Sequence, residues 1–366
     1  MDTHRDLRRK PGPSGPGGID RYLTELKRDG GHAFLYEVSS VPLQQALRHQ
    51  HTAFANFFAG RAKYPRFKSR HGRQCATYTR SAFRRRDGRL HLAKMDGPLE
   101  FVWSWPEVDP AVITPTTVTV SHDSDGRWYA SLAVEADADP EPLPSTGNEA
   151  GIDLGVSDFV VLSTGEKIPN PRHLERKARN LARYQRRMAR KQRGSANRAK
   201  AKAKVARAHT KVRDARADFL HRTSTRLVRD HDMIVIEDLN IKGMVRNRSL
   251  ARAISDCGWG EFRRQLEYKT QRYGRRLVVI DRWYPSSKTC SACGHLLAQL
   301  SLGTRTWQCP SCGTRHDRDV NAAKNILAAG RAVSACGADV SPQGSSLRRS
   351  AVKQEAQPVR AGIPRL

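Results

Sequence analysis

The period of the apolar positions changes along the chain. From Pro42 onward, Leu43, Leu47, Phe54, Phe57 and Phe58 recur at helical spacing. Proline suits the first position of such a helix. The helical pattern reaches back to about Ile19, whereas residues 1–18 are rich in Gly, Pro and Arg without period and predict disorder. Beyond Ala59 the period drops towards two. The runs RLHLAK, LEFVW, TVTVSH and WYASLAVEA lie between turn signals at Asp87-Gly88, Asp96-Gly97 and Asp125-Gly126. They predict a small antiparallel barrel or sandwich ending near Ala136, followed by the linker ADADPEPLPSTGNEA.

A second unit opens with AGIDLG and DFVVLSTGEK, two strands joined by a turn. Residues 172–228 return to helical spacing. One stripe is Leu174, Ala178, Leu181, Tyr184 and Met188; after a break at RGSAN the next is Val205, Ala208, Val212, Ala215 and Phe219. Two narrow stripes across one break predict an antiparallel helical hairpin. The buried strand MIVIE (233–237), a helix carrying Trp259, Phe262, Leu266 and Tyr273, and the strand LVVID (277–281) follow. A Cys-rich insert at 286–316 precedes a last helix over about 319–329, and the polar tail 331–366 predicts disorder. Strands alternating with helices make this unit α/β. The expected organisation is therefore a disordered 1–18, a helical segment 19–58, a β-rich unit with linker 59–144, and an α/β unit 145–330. The last of these would contain the hairpin 171–230 and the insert 286–316. No internal repeat is found.

Charge adds a partner. Among 366 residues, 65 Lys and Arg against 36 Asp and Glu leave +29, which points to a polyanion, most often nucleic acid. Within 172–216 alone, 18 basic residues face 2 acids, so 18 − 2 places +16 on the hairpin. The longest apolar runs are about five residues, against roughly 18 for a spanning helix, so no membrane role is expected. The N-terminus has no apolar stretch of the kind a secretory signal requires. Seven cysteines, four of them in two C-x2-C pairs, fit a reducing cytoplasm and one metal site.

Cys290, Cys293, Cys309 and Cys312 read C-x2-C-x15-C-x2-C, with Gly294 and Gly313 closing each pair. Two such knuckles present four thiolates tetrahedrally to zinc at roughly 2.3 Å, with no position left open, so the ion is structural. His295 and His316 are the flanking alternatives as ligands.

Three acids stand out by position. Asp153 lies in an apolar strand, Glu237 ends the strand MIVIE, and Asp319 starts the last helix. A carboxylate there is costly to desolvate unless paired. Read singly, the three are a turn residue, a strand-end charge and a helix N-cap. Read together in a basic chain, they can hold two Mg2+ ions roughly 3.5–4 Å apart, as phosphodiester hydrolysis requires. Asp317 rivals Asp319, and Asp238 rivals Glu237, although strand alternation sends Asp238 to the opposite face.

The hairpin's Arg186, Arg187, Arg190 and Lys191, with Arg66 and Lys68 upstream, are candidate phosphate contacts. Tyr64, Phe67, Tyr78 and Phe83, interleaved with basic residues, suit either base stacking or a barrel core. Trp103 and Trp105 are expected in the core.

The strings GIDLGVSDFVVLSTG, IVIEDLNIKGM, SSKTCSACG…CPSCGTRHDRDVNAAKNIL and QALRHQHTAFANFFAGRAKYPRFKSR, taken in order, resemble the OrfB/TnpB family over roughly residues 20–345. These are transposon-encoded nucleases regarded as ancestors of the type V CRISPR effectors. The resemblance implies an RNase H-like (RuvC-like) nuclease core with a helical insertion and a zinc ribbon. A β-barrel-like wedge domain with a partial helical recognition lobe would precede it. It also implies a noncoding guide RNA from the transposon end, a DNA target, structural Zn2+ and catalytic Mg2+. Asp153, Glu237 and Asp319 match the acids of the three RuvC motifs, the D-x-N-A-A of the third favouring Asp319 over Asp317. The family's opening strand has no counterpart in residues 1–18. The implied function is RNA-guided DNA cleavage. The alternatives are a guided repressor or transposition regulator that does not cut, a truncated inactive copy, and a strand-transferring transposase.

Overall fold

The computed structural model describes residues 16–69, 72–104, 108–109, 112–135, 141–301 and 303–336. They form two units, Met1–Ala138 and Asp139–Leu366. Residues 1–15 and 337–366, expected to be disordered, lie outside the described residues.

In the first unit, helix α1 (Pro16–Arg28) begins inside the stretch predicted to be disordered, because proline is tolerated in the first helical turn. Helix α2 (Ser40–Phe58) follows. Strand β1 (Gln74–Thr79) and β2 (Phe83–Arg86) arise from the basic aromatic stretch, where charge masks the alternation. Strand β3 (Arg89–Leu92) pairs with β2. Asp87 and Gly88, both at positive φ (50° and 73°), turn that hairpin, the conformation a tight two-residue turn demands. Strands β4 (Pro115–His122) and β5 (Trp128–Val134) complete a three-stranded antiparallel sheet in the order β1-β4-β5.

Among the described residues this is an open three-stranded sheet with a two-stranded hairpin packed against it, so of the two expected forms, barrel or sandwich, no closed barrel is formed. The predicted strand LEFVW does not form. It joins the hairpin through a single bridge from His91 to Pro98 and one bond from Leu99 N to Leu90 O. Pro98 has no N–H to continue a ladder, and Phe101 and Val102 are exposed. Leu90, Leu92 and Val118 form the core, with Tyr78 and Phe83 packed against them. Tyr64 and Phe67 stay exposed, Tyr64 meeting Phe54 and Phe57 edge-on at 5.7 and 5.3 Å. Trp103 is half-buried outside that core and donates its indole N–H to Val108 O (2.7 Å); Trp105 lies outside the described residues.

In the second unit, β6 (Glu149–Asp153), β7 (Asp158–Leu162) and β8 (Lys167–Pro169) form an antiparallel meander. Helices α3 (His173–Ala189) and α4 (Ala196–Asp230) form the hairpin. It is the crossover that brings β9 (Met233–Glu237) alongside β6 in parallel, a connection that parallel pairing requires to be long. Helices α5 (Ile241–Met244), α6 (Ala251–Cys257) and α7 (Trp259–Arg272) lead to β10 (Arg276–Ile280), parallel to β9. The strand order is β10-β9-β6-β7-β8. A ribbon containing β11 (Thr306–Gln308) and β12 (Arg315–Asp317) precedes helix α8 (Arg318–Cys336). This helix runs past its predicted end near residue 329, since the Ala-rich sequence there keeps helical propensity.

The central strands are buried on both faces. Ile152, Ile234 and Ile236 pack with Leu220, Leu227, Phe262 and Leu266; Val235, Val278 and Ile326 pack on the α8 side. Glycine sets the distance between α8 and the sheet: Gly151 faces the backbone of Ala323 and Leu327, and Gly330 faces the Val235 side chain. Asp256 pins the base of the hairpin, accepting from Leu174 N (2.8 Å) and from the Arg216 guanidinium (2.7 Å). At its far end Ser195 caps α4, and Arg198 donates to the carbonyls of Met188 and Lys191 (3.0 and 2.8 Å).

Candidate active site and metal centre

Parallel register between β6 and β9 pairs Ile152 with Ile236, so Asp153 and Glu237 occupy neighbouring strand ends. Helix α8 then sets Asp319, in its first turn, against the same end of the sheet. The three charges interact. Burial, then Glu237, then Asp319 push the Asp153 carboxyl up to about 7, Arg318 opposing and Asp317 adding to the shift. Burial also raises Glu237, opposed by the Ser286 hydroxyl, which donates to Glu237 Oε1 at 2.6 Å. Arg305 approaches Asp319 Oδ2 at 3.5 Å.

The rival acids are engaged elsewhere. Asp317 accepts from the N–H groups of Asp319 and Val320 (3.1 Å each), capping α8, and pairs with Lys167 at 2.7 Å. Asp238 pairs with Arg263 at 2.6 Å and with Arg282. Those partners hold both carboxyls below their ordinary values.

The four cysteines converge fully. Their Sγ atoms all lie within 4.8 Å of one another, Cys290 with Cys312 and Cys293 with Cys309 each at 3.7 Å. The two knuckles repeat one geometry: Gly294 N donates to Cys290 O and Gly313 N to Cys309 O, both at 2.9 Å. Gly294 and Gly313 have φ of 78° and 71°, a conformation that favours glycine. Four free thiols in this arrangement are the donor set of a structural zinc ion, and the cluster could hold one. His316 lies tilted against Trp307 (ring centroids 4.7 Å apart) and sets Nε2 3.1 Å from Cys290 Sγ, outside the four-sulfur group. Among the described residues the cysteines are the group closed tightly enough to grip an ion as they stand.

Three residues escaped the sequence reading. Buried Asn321 and Asn325 on α8 both donate to the Thr289 carbonyl (2.7 and 2.6 Å), and Asn325 also donates to Ser286 O (2.8 Å). Asn321 Oδ1 accepts from Ser291 N (2.9 Å). This clamp fixes the start of the ribbon and with it Ser286. Two asparagines four apart on an otherwise apolar helix face were the available signal, since buried amides must find partners.

Arg186, Arg187, Arg190 and Lys191 are all exposed, as are Arg66 and Lys68, the last 3.5 Å from Cys75 Sγ. Arg198, by contrast, is tied to carbonyls within the hairpin and Arg216 to Asp256 on α6. Of the four aromatics, Tyr78 and Phe83 belong to the core and Tyr64 and Phe67 to the surface. Among the described residues no helix is long and apolar enough to cross a membrane.

A family model described as "Probable transposase" matches residues 130–248, and one described as "Cas12f1-like, TNB domain" matches residues 259–326. The chain is 57% identical, over 94% of its own length and 85% of the relative's, to a Streptomyces pristinaespiralis protein named by inference as an RNA-guided DNA endonuclease. It is 35% identical, over 88% and 82% of the two chains, to InsQ of Escherichia coli K12, which carries the same inferred name. Among solved structures it resembles a chain of the cryo-EM structure of the Cas12f1–sgRNA–target DNA complex. The TM-score is 0.51 at 14% identity, covering 85% of this chain and 79% of that one; the likeness is one of fold.

Proposed function

The chain belongs to the OrfB/TnpB family, and we propose that it is an RNA-guided DNA endonuclease of an insertion-sequence transposon, cutting at Asp153, Glu237 and Asp319. The observation that carries this reading is the meeting of three carboxylates from distant segments, with Asp153 pushed up to about 7 by its burial and by the other two. Such crowding is unfavourable in a bare protein and is relieved by cations. The donor set therefore fits Mg2+, with all three acids as ligands. Bound there, Mg2+ would supply an activated water and stabilisation of the leaving oxygen.

The protein's own contribution is placement. Strands β6 and β9 hold two acids side by side, and α8 brings the third. Ser286 orients Glu237, and the capped start of α8 fixes the backbone of Asp319. The five-stranded mixed sheet is the RNase H-like core of this reading, the four-cysteine ribbon its structural zinc site, and the β-rich first unit its wedge. The exposed basic residues of the hairpin, with Arg66 and Lys68, would hold phosphates of a guide RNA and a target DNA. Base pairing to the guide would choose the sequence.

The test is guided cleavage in Mg2+ by protein loaded with its transposon-end RNA. Asp153→Ala, Glu237→Ala and Asp319→Ala should each abolish cutting while RNA and target binding persist. Asp317→Ala and Asp238→Ala should retain most of it. Target binding without cleavage by the wild type would instead favour a guided regulator. Full activity of Asp319→Ala would remove the third acid from the assignment.

A further inference from the structure

Ser286 lies in the loop between β10 and the first cysteine knuckle, outside the three acids and the four cysteines. It is buried, and its surroundings fix it from every side. Its hydroxyl donates to Glu237 Oε1 at 2.6 Å. Its own N–H donates to Tyr284 O at 2.8 Å, and Tyr284 packs on the apolar cluster of Val235, Val278, Ile280 and Ile326. Its carbonyl accepts from Asn325 of α8 at 2.8 Å. Three residues on, Thr289 O accepts from both Asn321 and Asn325. The hydroxyl that meets Glu237 is thus carried by backbone bolted to the helix that also carries Asp319.

A carboxylate at a strand end can rotate about its terminal torsion, which is broad rather than staggered. A donor fixed on one oxygen restricts that freedom and leaves the other oxygen free to act as a ligand. Outer partners of this kind orient ligating carboxylates, and their loss weakens metal affinity or activity roughly 10- to 100-fold.

We propose that Ser286 is a positioning residue for Glu237, and that through the Asn321–Asn325 clamp it ties the geometry of the catalytic carboxylates to the zinc ribbon. This rests on the metal-dependent reading of Asp153, Glu237 and Asp319. It assigns a role to the ribbon that zinc binding alone does not imply: the ribbon holds one of the acids in register with the other two.

The experiment compares wild type, Ser286→Ala, Ser286→Thr and Glu237→Gln as full-length, RNA-loaded protein. Two measurements are made: Mn2+ binding followed by electron paramagnetic resonance, and cleavage rate as a function of Mg2+ concentration. Zinc content and target affinity report whether each variant is folded. For Ser286→Ala, Mn2+ affinity and the Mg2+ half-saturation point should both weaken roughly 10-fold or more, with zinc and target binding at wild-type levels. Ser286→Thr, which keeps the hydroxyl, should recover most of the loss. Glu237→Gln separates the two readings. If it binds Mn2+ and cuts like wild type, the metal assignment fails and the Ser286 proposal with it. If it is inactive while Ser286→Ala titrates like wild type, only the Ser286 proposal is overturned. Loss in Ser286→Ala accompanied by loss of zinc, with no recovery in Ser286→Thr, would likewise overturn it in favour of a folding role.

Discussion

Gly151 of β6 and Ala323 of α8 touch backbone to backbone: a methyl group at position 151 would lie 2.1 Å from the Ala323 carbonyl oxygen. That contact sets the depth at which the last helix rests on the sheet, and hence how near Asp319 comes to Asp153. Gly151→Ala cannot be absorbed by rotating a flexible side chain, because the atoms it meets are backbone. We expect a loss of about 1–3 kcal/mol of stability from overpacking. The loss of cleavage should be larger than this fall in stability explains. Thermal unfolding and cleavage rates on the same preparation check both, and an unchanged melting temperature would refute the close contact.

Asp153 links pH to stability. Its folded-state pKa is raised from 3.8 to about 7, so between these values the folded state holds a proton that the unfolded state has released. Stability should therefore fall as pH rises from about 4 to 7 and level off above, by at most about 4 kcal/mol from this group. Other carboxylates, Asp317 and Asp238 among them, have depressed pKa values and act in the opposite sense. The difference between wild type and Asp153→Asn isolates the term. In Mg2+-free buffer, Asp153→Asn should be the more stable protein at pH 8 and lose that advantage towards pH 4. Added Mg2+ should stabilise wild type and leave the variant nearly unmoved.

Cys309→Ser removes one of four sulfurs from a cluster whose second knuckle it anchors. Zinc content should fall from one per chain towards zero. The ribbon's hold on Ser286 should loosen, so cleavage falls with it. Metal analysis by plasma emission, paired with cleavage assays, tests the coupling. Wild-type protein containing far less than one zinc per chain would sink the zinc reading.

The hairpin prediction separates contact residues from structural ones. Arg186, Arg187 and Arg190 are exposed on α3 and its C-terminal end, so reversing all three to Glu should leave the fold intact. It should weaken nucleic-acid binding for most sequences alike and flatten its salt dependence. Arg216→Glu should instead destabilise, because it faces the buried Asp256 carboxylate. Equal RNA retention by the triple variant would leave the hairpin a solvated surface.

Much of the architecture is legible from local pattern. The change from period two to helical spacing marks the β-rich stretch, the hairpin and the strand MIVIE, because burial on one face is written directly into residue order. The C-x2-C pairs announce their cluster because each knuckle is a local turn, complete within a few residues. The strand LEFVW misleads because alternation cannot register that Pro98 ends the ladder, and the tail helix runs on because propensity is weighed against packing.

Residue order alone marks most of the elements, the thiol set and the short list of acids. How each of those acids is engaged depends on neighbours that folding brings from distant segments. Asp317 and Asp319 are two residues apart and chemically identical; Lys167, 150 positions away, and the first-turn amides of α8 hold Asp317, whereas Asp319 meets Arg305 at 3.5 Å and couples to Asp153. Glu237 and Asp238 are likewise divided by Ser286 on one side and by Arg263 and Arg282 on the other. The two asparagines of α8 are visible in the sequence as buried amides in need of partners, but that they clamp the backbone of Ser286 and Thr289 emerges only when the chain folds. Hydrogen bonds and charge coupling act over a few ångströms in space, and those neighbours are supplied by segments far apart in the chain.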